Sequence, residues 1–195
     1  MACLITLGRS EPCKDSLGGL RNVYFINEDI DVSDVIFFNP ALPGAPVITD
    51  NVWYVGNIAS IYKFELKSNE NVYDQEIVSS RENGTTFFRQ TLTIKLKKQD
   101  IATHNAVKTL AYAKPRILVE NNEGQFFLVG MYRGCDVTAG SINNGGALGD
   151  FSGYSLTFQA EELLPSPFVI NGASSFRVGQ AFTIPLSTAS TIVTS

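Results

Sequence analysis

Few residues in this chain have side chains capable of nucleophilic, acid–base or metal chemistry. His104 is the single histidine, and Cys3, Cys13 and Cys135 are the only cysteines. A Ser-His-Asp or Cys-His arrangement would have to use His104. That residue lies in QDIATHNAVKTLAYAKP, whose pattern predicts a helix with His104 on its surface. A closed zinc site takes four Cys or His ligands, and the chain's four such residues are widely scattered. The thiols are therefore expected to be reduced and structural, with no metal and no cofactor bound. The run Gly140-Ser141-Ile142-Asn143-Asn144-Gly145-Gly146 looks like a phosphate cradle, but a Walker loop needs Lys and then Ser or Thr. Ala147 follows Gly146 instead, and no Lys or Arg lies between Arg133 and Arg177. A mobile strand connection is the better expectation. The acids Glu28, Asp29, Asp31 and Asp34 lack the spacing and terminal Glu of a calcium loop, so they are read as a solvated acidic face. Asn83-Gly84-Thr85 matches a glycosylation sequon, but with no secretion signal it is read as a turn. No catalytic residue emerges, and an enzyme is not expected.

Composition narrows the classes further. The 195 residues suffice for one domain with arms. At 44% hydrophobic and 17% charged, the chain is too apolar to be a disordered polyelectrolyte. A net charge of −4 leaves no broad basic surface for clamping a phosphate backbone. The opening MACLITLGRSEPCKDSLGG lacks a basic stretch followed by a long apolar one. No run approaches the roughly 18 apolar residues that cross a bilayer. A soluble protein made in a cytoplasm, without membrane contact, is the expectation.

The elements that must position everything else are mostly strands. Residues 1–21 read as a polar N-terminal arm, then NVYFIN (22–27) and VIFF (35–38) as strands, with a Pro-rich crossing over 39–46. In 58–67, Ile58, Ser60, Tyr62, Phe64 and Leu66 share one face, and Lys63, Glu65 and Lys67 the other. In 85–98, Phe88, Leu92, Ile94 and Leu96 oppose Arg89, Thr91, Thr93, Lys95 and Lys97. Between these two strands, the polar residues 68–86 predict a long loop that includes Glu70, Asp74 and Glu76. A helix is predicted over 100–114, capped by Asp100 and stopped by Pro115. Strands resume at 116–121 and 125–133 around an Asn122-Glu123-Gly124 turn, the second strand apolar on both faces and hence central. A Gly-rich loop (141–150) precedes a last alternating strand, 153–162, with Tyr154, Leu156, Phe158 and Ala160 inward. The nearly uncharged residues 163–195 form a C-terminal extension carrying Phe168, Phe176 and Phe182. The fold class is all-β with one helix, a sandwich or barrel with extended arms.

The succession of a long hairpin, KKQDIATHNAVKTLAYAKP, RILVENNEGQFFLVGMYRGCDV, a loop and GDFSGYSLTFQAEELLPSPFV resembles tail-tube-like structural proteins of tailed bacteriophages. It is most similar to those of Bacteroidetes phages and the crAss-like group, and the likeness covers roughly residues 1–168. The resemblance implies a β-sandwich or barrel with a flanking helix, assembling as a ring, usually hexameric. In that family the sheets of neighbouring subunits join to line a channel for DNA. It thus implies a virion protein of the tail tube or hub, made in the host cytoplasm, whose partners are its own copies, other tail or neck proteins and passing DNA. Residues 22–162 would be the tail-tube-like domain, and the arms and the 68–86 loop would carry contacts.

Assembly or channel candidates follow. Glu28, Asp29, Asp31 and Asp34 are expected at the channel or its rim, where an acidic wall keeps a duplex mobile. Lys95 and Lys97 are expected to point away from it. Glu70, Asp74 and Glu76 are expected to meet neighbouring subunits, and Phe168, Phe176 and Phe182 to pair along the sheet edge or dock on another protein. The alternatives are a neck adaptor, a capsid decoration protein, or a soluble β-barrel holding an apolar ligand in a Phe-rich interior.

Overall fold

Strict alternation in TTFFRQTLTIKLK produces the longest strand, thirteen residues with every second side chain inward. The computed structural model describes residues 14, 16–27, 36–37, 52–55, 60–169 and 191–193. The described elements are β1 (Leu20–Ile26), β2 (Ile36–Phe37), β3 (Val52–Val55), β4 (Ser60–Glu65), β5 (Val72–Ser80), β6 (Thr85–Lys97), α1 (Ile101–Leu110), β7 (Arg116–Asn121), β8 (Phe126–Val129), β9 (Asp136–Asn143), β10 (Gly153–Glu162), β11 (Phe168–Val169) and β12 (Thr191–Val193). An eight-stranded sheet runs β12-β4-β1-β7-β8-β11-β3-β2, and a four-stranded one β5-β6-β10-β9. The smaller sheet is wholly antiparallel. The larger is mixed, because β11–β3 and β12–β4 are parallel pairs. Among the described residues the chain is therefore all-β with one helix, as its alternation predicts.

The core is the layer between the sheets. Val23, Phe25, Ile117, Val119 and Val129 of the large sheet meet Leu92, Ile94, Leu96, Tyr154, Leu156, Phe158 and Ala160 of the small one, and Val107 of α1 closes one end. Phe25 packs edge-on to Phe64 and tilted on Phe158, at 5.1 and 5.4 Å between ring centroids. The opposite face of the large sheet is buried too, at Tyr24, Ile26, Ile61, Leu118, Phe126 and Leu128. This departs from the alternation of residues 58–67. Ile61, on the face assigned to lysines, is fully buried, while Tyr62 is 37% exposed.

Four further expectations are corrected. Most of the 68–86 loop is strand, because Val72–Ser80 pairs with β6 across nine residue pairs. What remains of the loop is residues 68–71 and the turn at 81–84, where Gly84 takes φ +63°. The Gly-rich connection starts at Asn144, since Gly140–Asn143 belong to β9. The described strands of the C-terminal extension belong to the domain: β11 sits inside the large sheet between β8 and β3, and β12 borders β4. The helix ends at Leu110, not 114, because Tyr112 and Ala113 both donate to the Thr109 carbonyl in a closing turn before Pro115. Its start is as expected, with Asp100 accepting from the Thr103 amide at 3.0 Å. Among the described residues no helix is long and apolar enough to cross a membrane.

Candidate assembly interface

Among the described residues the four-stranded sheet ends in two edges, β5 and β9, and the backbone groups they leave unpaired follow from the register. The Lys95 amide donates to Asn71 Oδ1, on the β5 side. Amides alternate along a strand, so the outward-facing residues of β6 bond β5 and its core-facing residues bond β10. Carried across the pairings, this alternation leaves Tyr73, Gln75, Ile77 and Ser79 of β5, and Gly140 and Ile142 of β9, with backbone groups aimed off the sheet. Among the described residues no turn or loop backbone bonds to either edge. Such rows are templates for another strand. Both edges also carry core-facing apolar side chains that stay open, Ile77 at 65% and Ile142 at 49% exposure. Leu163 beyond β10 is 69% exposed as well.

The face of this sheet turned away from the core is mostly polar and nearly neutral, with Val72, Val78 and Phe87 as apolar exceptions. Thr91, Thr93, Ser155, Thr157 and Ser141 lie across its middle. Arg89 is held between two carboxylates, Glu76 at 3.0 Å and Glu161 at 3.5 Å. Lys95 pairs with Glu70 and stands 5.6 Å from the Phe151 ring.

The candidate residues therefore separate. Asp74 and Glu76 lie on β5 among the outward-facing residues, and Glu70 is in the turn before that strand. Phe168 is in β11, 42% exposed and 4.7 Å from the Phe127 ring. Glu28, Asp29, Asp31, Asp34, Phe176 and Phe182 lie outside the described residues. The β9 edge was missed at the sequence level, although DVTAGSIN alternates little and its one large apolar residue, Ile142, is the only signal it offers.

Other polar clusters are structural. Glu162 accepts from the Tyr132 and Arg133 amides at 2.9 Å each, Gln90 Oε1 accepts from the Gly130 amide at 3.0 Å, and Arg116 Nε donates to the Met131 carbonyl at 2.9 Å. Together they fix the turn after β8. The Cys135 thiol beneath it is pushed far above its usual range, by burial first and the Glu162 charge second, so it stays protonated and unreactive. His104 is exposed on α1, with its ring 6.1 Å from that of Tyr154. Among the described residues, no group of three or more His, Cys, Asp or Glu is placed to hold a metal ion. Compared with protein-family models, curated proteins and solved structures, the chain matches none.

Proposed function

We propose that this chain is a non-enzymatic structural subunit of a phage tail, in which copies join β9 of one to β5 of the next and close a ring around a DNA channel. The observation that carries this reading is the stagger of the two edges. Counted along β6, β5 occupies the levels of residues 85–93 and β9 those of 91–97. Joining β9 to a neighbour's β5 continues the antiparallel order, and full overlap needs an offset of four or six residues. The offset must be even, because paired residues share a face. Over four strands about 4.8 Å apart, with a rise of about 3.3 Å per residue, these offsets correspond to tilts of about 35° and 46°. Closed barrels tilt by about 35–45°.

The hand agrees as well. Viewed from the core with β6 upward, L-residues facing the viewer turn their amides right, which puts β9 on the right edge, and it is also the higher edge. Strands climbing to the right, as right-handed twist requires in a barrel, set the next copy's left edge lower, where β5 is. This makes the polar face the lining. Six copies would give a barrel of about 24 strands, wider than the roughly 16–18-stranded porins that already hold an aqueous channel. A hydroxyl-rich, nearly neutral wall releases few counterions to DNA and lets it slide. On this reading Lys95 and Lys97 belong to the lining near one rim, the reverse of the placement that charge segregation suggests.

Sedimentation velocity and negative-stain images of the purified chain test ring formation. Rings of about six copies are expected, and a species that remains at 21.3 kDa at all concentrations would overturn the proposal. Gold-labelled antibody against the chain should mark the tails of purified phage particles, and capsid labelling would contradict the tail assignment.

A further inference from the structure

At the end of the sandwich where β4, β6 and the start of α1 meet, a cleft of about 390 Å³ is lined by Lys63, Phe64, Glu65, Lys67, Lys95, Leu96, Lys97 and Thr103. We infer that this cleft is a binding site for a phosphate group.

Charge balance is the first argument. Lys63 and Lys67 share one carboxylate, Glu65, at 3.9 and 3.4 Å. Lys95 pairs with Glu70. The Lys97 ammonium donates to the Lys67 backbone carbonyl at 3.4 Å. Among the described residues four ammonium groups thus meet two carboxylates, a local surplus of +2 in a chain whose net charge is −4. Concave sites with apolar walls, here Phe64 and Leu96, focus such a field more strongly than a flat surface does.

Geometry is the second argument. Lys63 and Lys67 come from the large sheet's side and Lys95 and Lys97 from the small sheet's, so the charges converge on one concavity instead of lining one strand. Thr103, in the first turn of a ten-residue helix, also lines the cleft, with its amide and hydroxyl both bonded to the Asp100 carboxylate that caps that helix. Ammonium groups act as compact point charges that suit a multi-oxygen dianion, whereas planar carboxylates are matched best by the guanidinium fork. Among the described residues no arginine lines the cleft. The lining comes entirely from a single copy, so the site does not depend on ring assembly.

Amide-detected NMR of the full chain, titrated separately with inorganic phosphate, a short DNA duplex and a poly-glutamate peptide, tests this. Phosphate should shift the amides of 63–67, 95–97 and 103, and the double variant Lys67→Gln/Lys97→Gln should bind about tenfold more weakly, the scale of losing two charge-assisted contacts. Lys67 is largely exposed, and circular dichroism of the variant checks that its fold is kept. Free phosphate saturating as readily as an equal concentration of duplex phosphate assigns a small-ion site. Saturation by duplex alone at that concentration assigns the DNA backbone as the source. No shift with either, equal shifts in the double variant, or tighter binding of poly-glutamate than of both would overturn the inference.

Discussion

Replacing Ile142 by proline should abolish ring assembly while leaving the subunit folded. Ile142 lies in the β9 edge, its partner Tyr154 is core-facing, and the alternation along the sheet turns the Ile142 amide away from β10. Proline is tolerated on an edge strand when its missing N–H faces outward, so the monomer should melt within a few degrees of wild type. Between copies the same change removes the donor from one hydrogen-bonded pair and holds the neighbouring strand off. Two bonds at a net of about 0.5–1.5 kcal/mol each amount to about 1–3 kcal/mol per junction. A central value of about 2 kcal/mol is roughly 30-fold in affinity, before counting the half-exposed isoleucine side chain. A ring repeats the loss at every junction. Sedimentation velocity over a concentration series measures it: where the wild type is half assembled, the variant should run as the 21.3 kDa monomer. Rings with unchanged concentration dependence would refute the edge assignment, and a variant that no longer folds would show that the amide is used within the domain.

Two further outcomes probe the frame behind that edge. Gly134 takes φ +73°, and a Cβ there would stand 2.5 Å from the Lys114 carbonyl oxygen, so Gly134→Ala should cost about 1–3 kcal/mol, read as a lower urea midpoint; an unchanged midpoint would contradict the packing described. Asp150 accepts from the Gly146 and Ala147 amides at 2.8 Å each, and these backbone bonds hold its carboxyl below the usual range. Because the folded value is depressed, the contribution is complete above the ordinary aspartate range and is lost as pH falls through the folded value. Amide exchange at Gly146 and Ala147, corrected for its intrinsic pH dependence, should show constant protection from neutral pH down to the ordinary aspartate range and a loss below it. A loss of protection near pH 6 would implicate another group.

The fold was legible where one face is buried and the other wet. In β10, Tyr154, Leu156, Phe158 and Ala160 alternate with polar residues, and all four are buried. Arg116–Asn121 was readable for the opposite reason, as an apolar run in a strand with neighbours on both sides. The strand Val72–Ser80 was not, because Asp74, Glu76 and Ser80 face outward while Gln75 faces inward, where it accepts from the Ser166 amide at 2.9 Å. A polar residue satisfied by a partner 91 positions away looks like loop in a local window. The burial of Ile61 was not legible, because it depends on the large sheet being covered on both sides, which no strand's own pattern encodes. The candidate interface was harder still. Open edges belong to strand order, and the two that matter come from segments about 60 positions apart, neither with a motif. The lysine cleft likewise gathers side chains from 63–67 and 95–97, each of which alone reads as an ordinary solvated face.

A cross-link between the two edges tests the joined-sheet ring most directly. An offset of four residues places Ser141 opposite Asp74 of the next copy, and an offset of six places it opposite Glu76. Both are outward-facing, non-hydrogen-bonded pairs, whose close Cα spacing of about 4.5 Å suits a disulfide. Within one copy β5 and β9 are separated by two strands, or about 14 Å, too far to bridge. With Cys3 and Cys13 replaced by serine, the paired variants Asp74→Cys/Ser141→Cys and Glu76→Cys/Ser141→Cys are oxidised under assembly conditions and run on a non-reducing gel. One of the two should give a ladder ending in a closed ring of about six subunits, and reduction should return it to monomer. Monomer alone in both variants would contradict the joined sheet.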